Sequence, residues 1–214
     1  MVFFTRNNRS ARGSTSASLP AMRSSAAIGR RQLLLGLGAG GVCLGYSGWV
    51  QGSTAIPITL SALVARSRHI LVGIARKGEA IWEMTDAGRR IVTYREVAIE
   101  QTLDGRPPAE RTLVIRTLGG SVGDIGQIVH GEAELEPGRT SVLFLREHVA
   151  GLFSVTAMAQ GHYPLVTDPQ GLTRMVASPK LAEFAVEPSK VAFTRLRGST
   201  LGECERMISE ELAR

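Results

Sequence analysis

The chain is short of three things, and each shortage removes a class of function. It has two cysteines in 214 residues, and only Cys204 lies beyond residue 55, so the folded part has no intramolecular disulfide to form. Its aromatics number 2 Trp, 3 Tyr and 6 Phe, too few to build the stacking platform on which single-stranded nucleic acids lie. No acidic residue precedes Glu79. That absence decides how the charge is read. A net charge of +6 and a pI near 10 suggest a phosphate-binding protein. Yet Arg6, Arg9, Arg12, Arg23, Arg30 and Arg31 hold six of the 25 basic residues, which leaves 19 basic against 19 acidic from Ile56 onward. Attraction to phosphates needs an excess of Lys and Arg on the folded part. Nucleic acid is therefore excluded as an expected partner. The hydrophobic content of 43% is ordinary and suffices for a packed core.

What is present at the N-terminus is an export pattern. Residues 1–29 are rich in Ser, Ala, Arg and Asn without apolar periodicity, and read as an unstructured leader. Met22 is an alternative start. Arg30 and Arg31 then precede Leu33, Leu34 and Leu35 and an apolar run to about Val50. A basic region, an apolar region and a small-residue exit make a secretory signal. The paired arginines resemble the twin-arginine motif, with Gly29 in place of Ser and Leu35 in place of Lys. Six glycines between Gly36 and Gly48 hold the run to moderate hydrophobicity and weaken it as a helix, at about 1 kcal/mol each against Ala. Leu33–Val50 is at the short limit for a membrane span, which leaves an uncleaved anchor as the alternative to cleavage at Ser53-Thr54-Ala55. Cys43 follows Val42, too large for a lipidation site, and reads as one more apolar residue. The expected partner during export is the twin-arginine translocase. The expected location is periplasmic or extracellular, with membrane attachment only if the signal is retained.

After residue 55 the pattern changes to short strands. Ile58–Arg66 reads as a helix, with Leu60, Leu63 and Val64 on one stripe. Strands follow at Ile70–Ala75, Ile91–Leu103, Leu113–Ile115, Gln127–Val129, Val142–Leu145, Leu152–Met158, Tyr163–Val166 and Leu172–Val176. Asp86-Ala87-Gly88, Asp104-Gly105-Arg106-Pro107-Pro108, Pro137-Gly138 and Asp168-Pro169-Gln170-Gly171 mark turns. This spacing predicts a mainly β fold: a small closed or partly open antiparallel barrel, OB-like, or a sandwich. Thr200 and Glu203 predict a capping box for a helix carrying Leu201, Cys204, Ile208 and Leu212 on its docking stripe. Residues 1–55, 56–177 and 178–214 thus divide into signal segment, β domain, and linker with C-terminal helix. A buried thiol is the ordinary reading of Cys204. Trp82 and Tyr94 are expected to form a cross-strand pair.

Arg68-His69-Ile70-Leu71-Val72-Gly73, Ile91-Val92-Thr93-Tyr94, the glycines from Gly119 to Gly131, Val142-Leu143-Phe144-Leu145 and Gln160-Gly161 together resemble a group of uncharacterised exported bacterial proteins. The resemblance spans about residues 60–177. It implies a β-rich exported domain and carries over no assigned activity. More distantly, the strand order is similar to OB-like modules such as the netrin-like part of metalloproteinase inhibitors, in architecture only.

Two candidate sites share one glycine loop, and a third begins at its end. Gly119-Gly120-Ser121-Val122-Gly123 matches G-x-S-x-G, the strand-to-helix turn that projects a nucleophilic serine in α/β-hydrolases. Asp124 and then His130, His148 or His162 follow in triad order. Against it, Gly126 interrupts the required helix and the chain lacks alternating βα units. The same loop contains G-x-x-G-x-x-G, without the order or the Lys that a phosphate cradle needs. His130, Glu132 and Glu134 alternate, so that one strand face could present them to a metal. The plain alternatives are glycines needed for positive φ and a solvated charged face. His69, His148 and His162 read as surface or locally bonded residues. No cofactor is expected. The expected function is binding or accessory, for an unnamed protein or small-molecule ligand. A serine hydrolase using Ser121 and a membrane-tethered structural protein are the alternatives.

Overall fold

A computed structural model describes residues 2–6, 56–85, 88–104, 106–183 and 192–214. Arg30, Arg31 and the apolar run of the expected signal lie outside the described residues. Among the described residues, no helix is long and apolar enough to cross a membrane.

The fold is mainly β, as the strand spacing predicts. Five strands carry it: β2 (His69–Thr85), β3 (Gly88–Thr102), β4 (Thr112–Leu118), β7 (Thr140–Val149) and β8 (Leu152–Val155). β2 pairs with β3 and with β7, and β3 pairs with β4, all antiparallel. β8 then pairs antiparallel with β7 and parallel with β4. The pairings thus run β7-β2-β3-β4-β8 and back to β7 in a ring. It is not a closed barrel, because β4 and β8 meet only at Val114↔Leu152 and Ile115↔Phe153. β9 (His162–Thr167) and β10 (Thr173–Met175) extend the sheet beyond β7.

Alternation along these strands separates two cores. Leu71, Val97, Leu113, Ile115, Leu143, Leu145, Phe153 and Val155 point into the ring and pack with Ala133 and Leu135. Ile70, Val72, Val142 and Phe144, from the opposite face of β2 and β7, join Tyr163 and Met175 under the helices. Those helices are α1 (Leu60–Ala65), α2 (Ala192–Leu196) and α3 (Leu201–Leu212). Each fully buried Leu or Phe side chain contributes about 1.5–3 kcal/mol by leaving water.

β2 is far longer than Ile70–Ala75. Lys77, Gly78 and Glu79 are poor strand formers, but register shifts at Val72/Gly73 and Ala75/Gly78 bend the strand and let it continue as an arm against β3. A Cβ at Gly78 would stand 2.8 Å from the Tyr94 carbonyl oxygen, so the bend depends on glycine. Cross-strand contacts then hold the arm. Arg116 donates to both Glu83 carboxylate oxygens, at 2.5 and 3.2 Å, and the Tyr94 hydroxyl donates to the same group at 2.5 Å. The Arg116 hydrogen bond is the main cause that holds the Glu83 carboxyl below its ordinary range. The expected Trp82–Tyr94 pair does not form as an opposed pair. The register of β2 on β3 sets Trp82 opposite Ile91 and Tyr94 opposite Glu79, and the Arg89 guanidinium lies 4.5 Å from the Trp82 ring centroid.

The predicted capping box is present at Thr200 and Glu203. The docking stripe of α3 differs at its end: Cys204, Ile208 and Glu211 are buried, whereas Leu212 is 44% exposed. Glu211 can be inside because Arg195 and Arg214 neutralise it at 2.8 and 3.2 Å. Burial pushes the Cys204 thiol up to about 12, which leaves it a packing residue without thiolate reactivity.

The leader also differs from expectation at its first residues. Val2–Arg6 forms β1, antiparallel to β6 (Ile125–Val129), which pairs in turn with β5 (Gly120–Val122). Val, Phe, Phe and Thr have strand propensity, and β6 presents them an edge.

Candidate functional site

The glycine loop is a β-hairpin folded against the end of the ring. β4 ends at Leu118, and Gly119, at φ +95, turns the chain away while staying tied to β3. Its N–H donates to the Ile91 carbonyl at 2.8 Å, and its carbonyl accepts from the Thr93 hydroxyl at 2.7 Å. Gly120, at φ +132, passes so close to β2 and β3 that a Cβ would meet the Thr93 hydroxyl at 2.5 Å and the Ala80 Cβ at 3.0 Å. β5 and β6 then turn through Gly123 and Asp124. Gly123 has φ +60, the conformation that a two-residue hairpin loop wants at its first position.

One polar side chain of the hairpin is buried. Gln127 is 3% exposed, and its Oε1 accepts from the Ile91 N–H at 2.6 Å. Its Nε2 has no hydrogen-bond partner among the described residues. Hairpin and ring together bound a cleft of about 470 Å³. Thr93, Arg95 and Thr117 of β3 and β4 line it, together with Ser121, Gln127 and the segment from Glu132 to Pro137. Glu132 accepts from the Ala133 N–H at 3.1 Å, and burial raises its carboxyl above the ordinary value. Desolvation lowers Arg95. At the rim, Lys180 stands 3.8 Å from Glu134. A buried amide, two threonine hydroxyls and charges of both signs suit a small polar ligand better than an apolar one.

The three triad candidates are not brought together. Ser121 is exposed on β5, opposite Gly126. Asp124 sits at the hairpin tip, and His130 lies beyond the far end of β6. Four residue steps of extended chain run from Gly126 to His130, which is roughly 13 Å. Behind Ser121 the chain continues as a hairpin strand where a nucleophile turn requires a helix. Gly120, Gly123 and Gly126 likewise fall on β5, its turn and β6, with no helix N-terminus following to hold a phosphate.

The metal candidates are also separated by backbone. β6 ends at Val129, and Gly131, at φ +76, turns the chain after His130. Glu132 and Glu134 then alternate with the buried Ala133 and Leu135 in an extended segment outside the strands. The alternation is thus present, but it anchors the segment to the ring core and does not continue through His130. No group of three His, Cys, Asp or Glu is placed to hold a metal among the described residues.

Sequence reasoning passes over Gln127, Thr117 and Arg95, and offers His162 only as a triad alternative or a surface or locally bonded residue. His162 is 2% exposed, with Nδ1 3.1 Å from the Ser178 hydroxyl and Nε2 3.1 Å from the Ser141 hydroxyl. Burial, with a smaller contribution from Arg139, lowers it to about 4. Its serines come from β7 and from the chain beyond β10, which no local pattern links to it. No family model, curated protein or solved structure matches the chain.

Proposed function

We propose that residues 56–214 form an exported binding or accessory module whose ligand occupies the cleft at the end of the ring. The observation that carries this reading is the buried Gln127 side chain in the cleft wall. It has donors to spare beside the hydroxyls of Thr93 and Thr117, and buried polar groups are ordinarily paired. Export rests on the arginine pair and the glycine-rich apolar run, and agrees with the resemblance to exported β-rich proteins.

Two measurements test the halves of the proposal separately. A fusion of residues 1–55 to a reporter is expected to cross the membrane only where the twin-arginine translocase is active. Arg30→Lys with Arg31→Lys is expected to stop it, and continued export of that double variant defeats the assignment. For the cleft, the purified protein is titrated with a library of small polar molecules and followed by amide NMR. Bound molecules are expected to move resonances of Thr93, Thr117 and Gln127. Ser121→Trp, at an exposed rim position, is expected to weaken them about tenfold. Shifts confined to other surfaces would reject the cleft as the site.

A further inference from the structure

The hairpin β5–β6 has a third strand that comes from an unexpected part of the chain. Val2–Arg6 lies antiparallel along all of β6, from Val2 opposite Val129 to Arg6 opposite Ile125. These residues stand upstream of Arg30 and Arg31, in the part assigned above to the export signal. The edge they cover has none of the usual protections. Ile125-Gly126-Gln127-Ile128-Val129 contains no charge and no proline, the devices that normally keep an edge from pairing. Ile125 and Ile128 are 42% and 45% exposed with β1 in place.

We infer that the outer edge of β6 is a strand-acceptor site. In the full chain residues 2–6 fill it. When residues 1–55 leave, it takes an extended segment of another protein, with β-branched and aromatic residues at the positions of Val2–Thr5. Main-chain hydrogen bonds give such a site its affinity, and alternate side chains give it selectivity. The occupant is a partner of that chemistry and not a second copy of β6. Two β6 strands paired about Gln127 would set Ile128 against Gly126, whereas β1 sets an aromatic residue, Phe3, opposite Ile128. A partner strand with an aromatic residue at that register position would make the favoured pair of aromatic with β-branched residue. The inference rests on the export reading, which empties the edge, and is independent of what the cleft binds.

The test compares protein recovered from the exported fraction with the full chain. The probe is a fluorescent peptide of residues 1–8, read by anisotropy. The exported protein is expected to bind it saturably in the micromolar range, and the full chain about tenfold more weakly, because its own strand competes. Ile128→Lys, at an exposed position, is expected to weaken the exported protein's binding about tenfold without moving its melting temperature. Absent binding, equal binding by both forms, or indifference to Ile128→Lys would overturn the inference. So would an exported protein that is dimeric and becomes monomeric as Ile128→Lys, which would name a second copy as occupant. A chain recovered only with residues 1–55 attached would overturn it too, since the edge would never empty. If the peptide fails while small molecules still shift Thr93 and Thr117, this inference alone is lost.

Discussion

Gly120→Val is expected to cost about 3 kcal/mol or more, and Gly123→Asn less than about 1 kcal/mol. Both glycines have positive φ, so backbone strain of about 1–3 kcal/mol is common to both for a β-branched residue. Asn at Gly123 escapes most of it, since short polar side chains tolerate the left-handed region. Space separates them further. A Cβ at Gly120 meets the Thr93 hydroxyl at 2.5 Å and Ala80 at 3.0 Å, whereas at Gly123 nothing lies within 4 Å. Overpacking adds about 1–3 kcal/mol, and it pushes away the hydroxyl that holds Gly119. For a domain of this size the Gly120 change corresponds to a melting temperature lower by roughly 6–12 °C. Ser121→Ala, at an exposed strand position, should stay within about 0.5 kcal/mol. A fluorophosphonate probe should leave the wild type unlabelled. Thermal melts of the three variants and one labelling gel check the set. Equal destabilisation by both glycine variants would refute the close approach, and stoichiometric labelling lost in Ser121→Ala would install the hydrolase.

Stability is expected to fall as the pH drops from about 6.5 to about 4, with His162 the largest single contributor in that window. Its folded value of about 4 lies below the ordinary 6.5 of an unfolded chain. Over that interval the unfolded state therefore binds the extra proton and is favoured. The contribution of neutral His162 is complete above 6.5 and is lost progressively down to 4, amounting to about 3 kcal/mol. Urea unfolding at pH 7.5, 5.5 and 4.5 should reveal the slope. His162→Gln should be less stable at neutral pH and should lack most of that slope. Carboxyls whose values are lowered, such as Glu83, act in the same direction only at more acid pH, because they start from about 4.3. A wild-type slope unchanged in His162→Gln would assign the effect elsewhere.

The glycine loop shows where local reading stops. Its need for positive φ is legible, and Gly119, Gly120, Gly123 and Gly131 have it while Gly126 does not. What the loop does with that freedom is not legible. The G-x-S-x-G string specifies small residues around a serine, and a hairpin satisfies it as well as a nucleophile turn. The difference lies in what stands behind the serine, here β2 and β3, which end 36 and 19 residues upstream of it. The arm of β2 teaches the same point from the other side. Its charged residues look like a break until Arg116 on β4 and Tyr94 on β3 come to Glu83.

By itself the sequence determined the balance of charge after residue 55, the period-2 runs that became strands, the capping box at Thr200 and the buried thiol of Cys204. These depend on neighbours within a few residues, where periodicity and capping chemistry act. The proposed export signal rests on sequence alone, and its arginine pair and apolar run lie outside the described residues. Only the tertiary structure decided that β8 returns parallel to β4 to complete the ring, that Gln127 turns inward against Ile91, and that His162 lies between Ser141 and Ser178. Each of those joins residues far apart in the chain. A polar side chain carries no local mark of whether it will be buried, because burial is set by which strands pair.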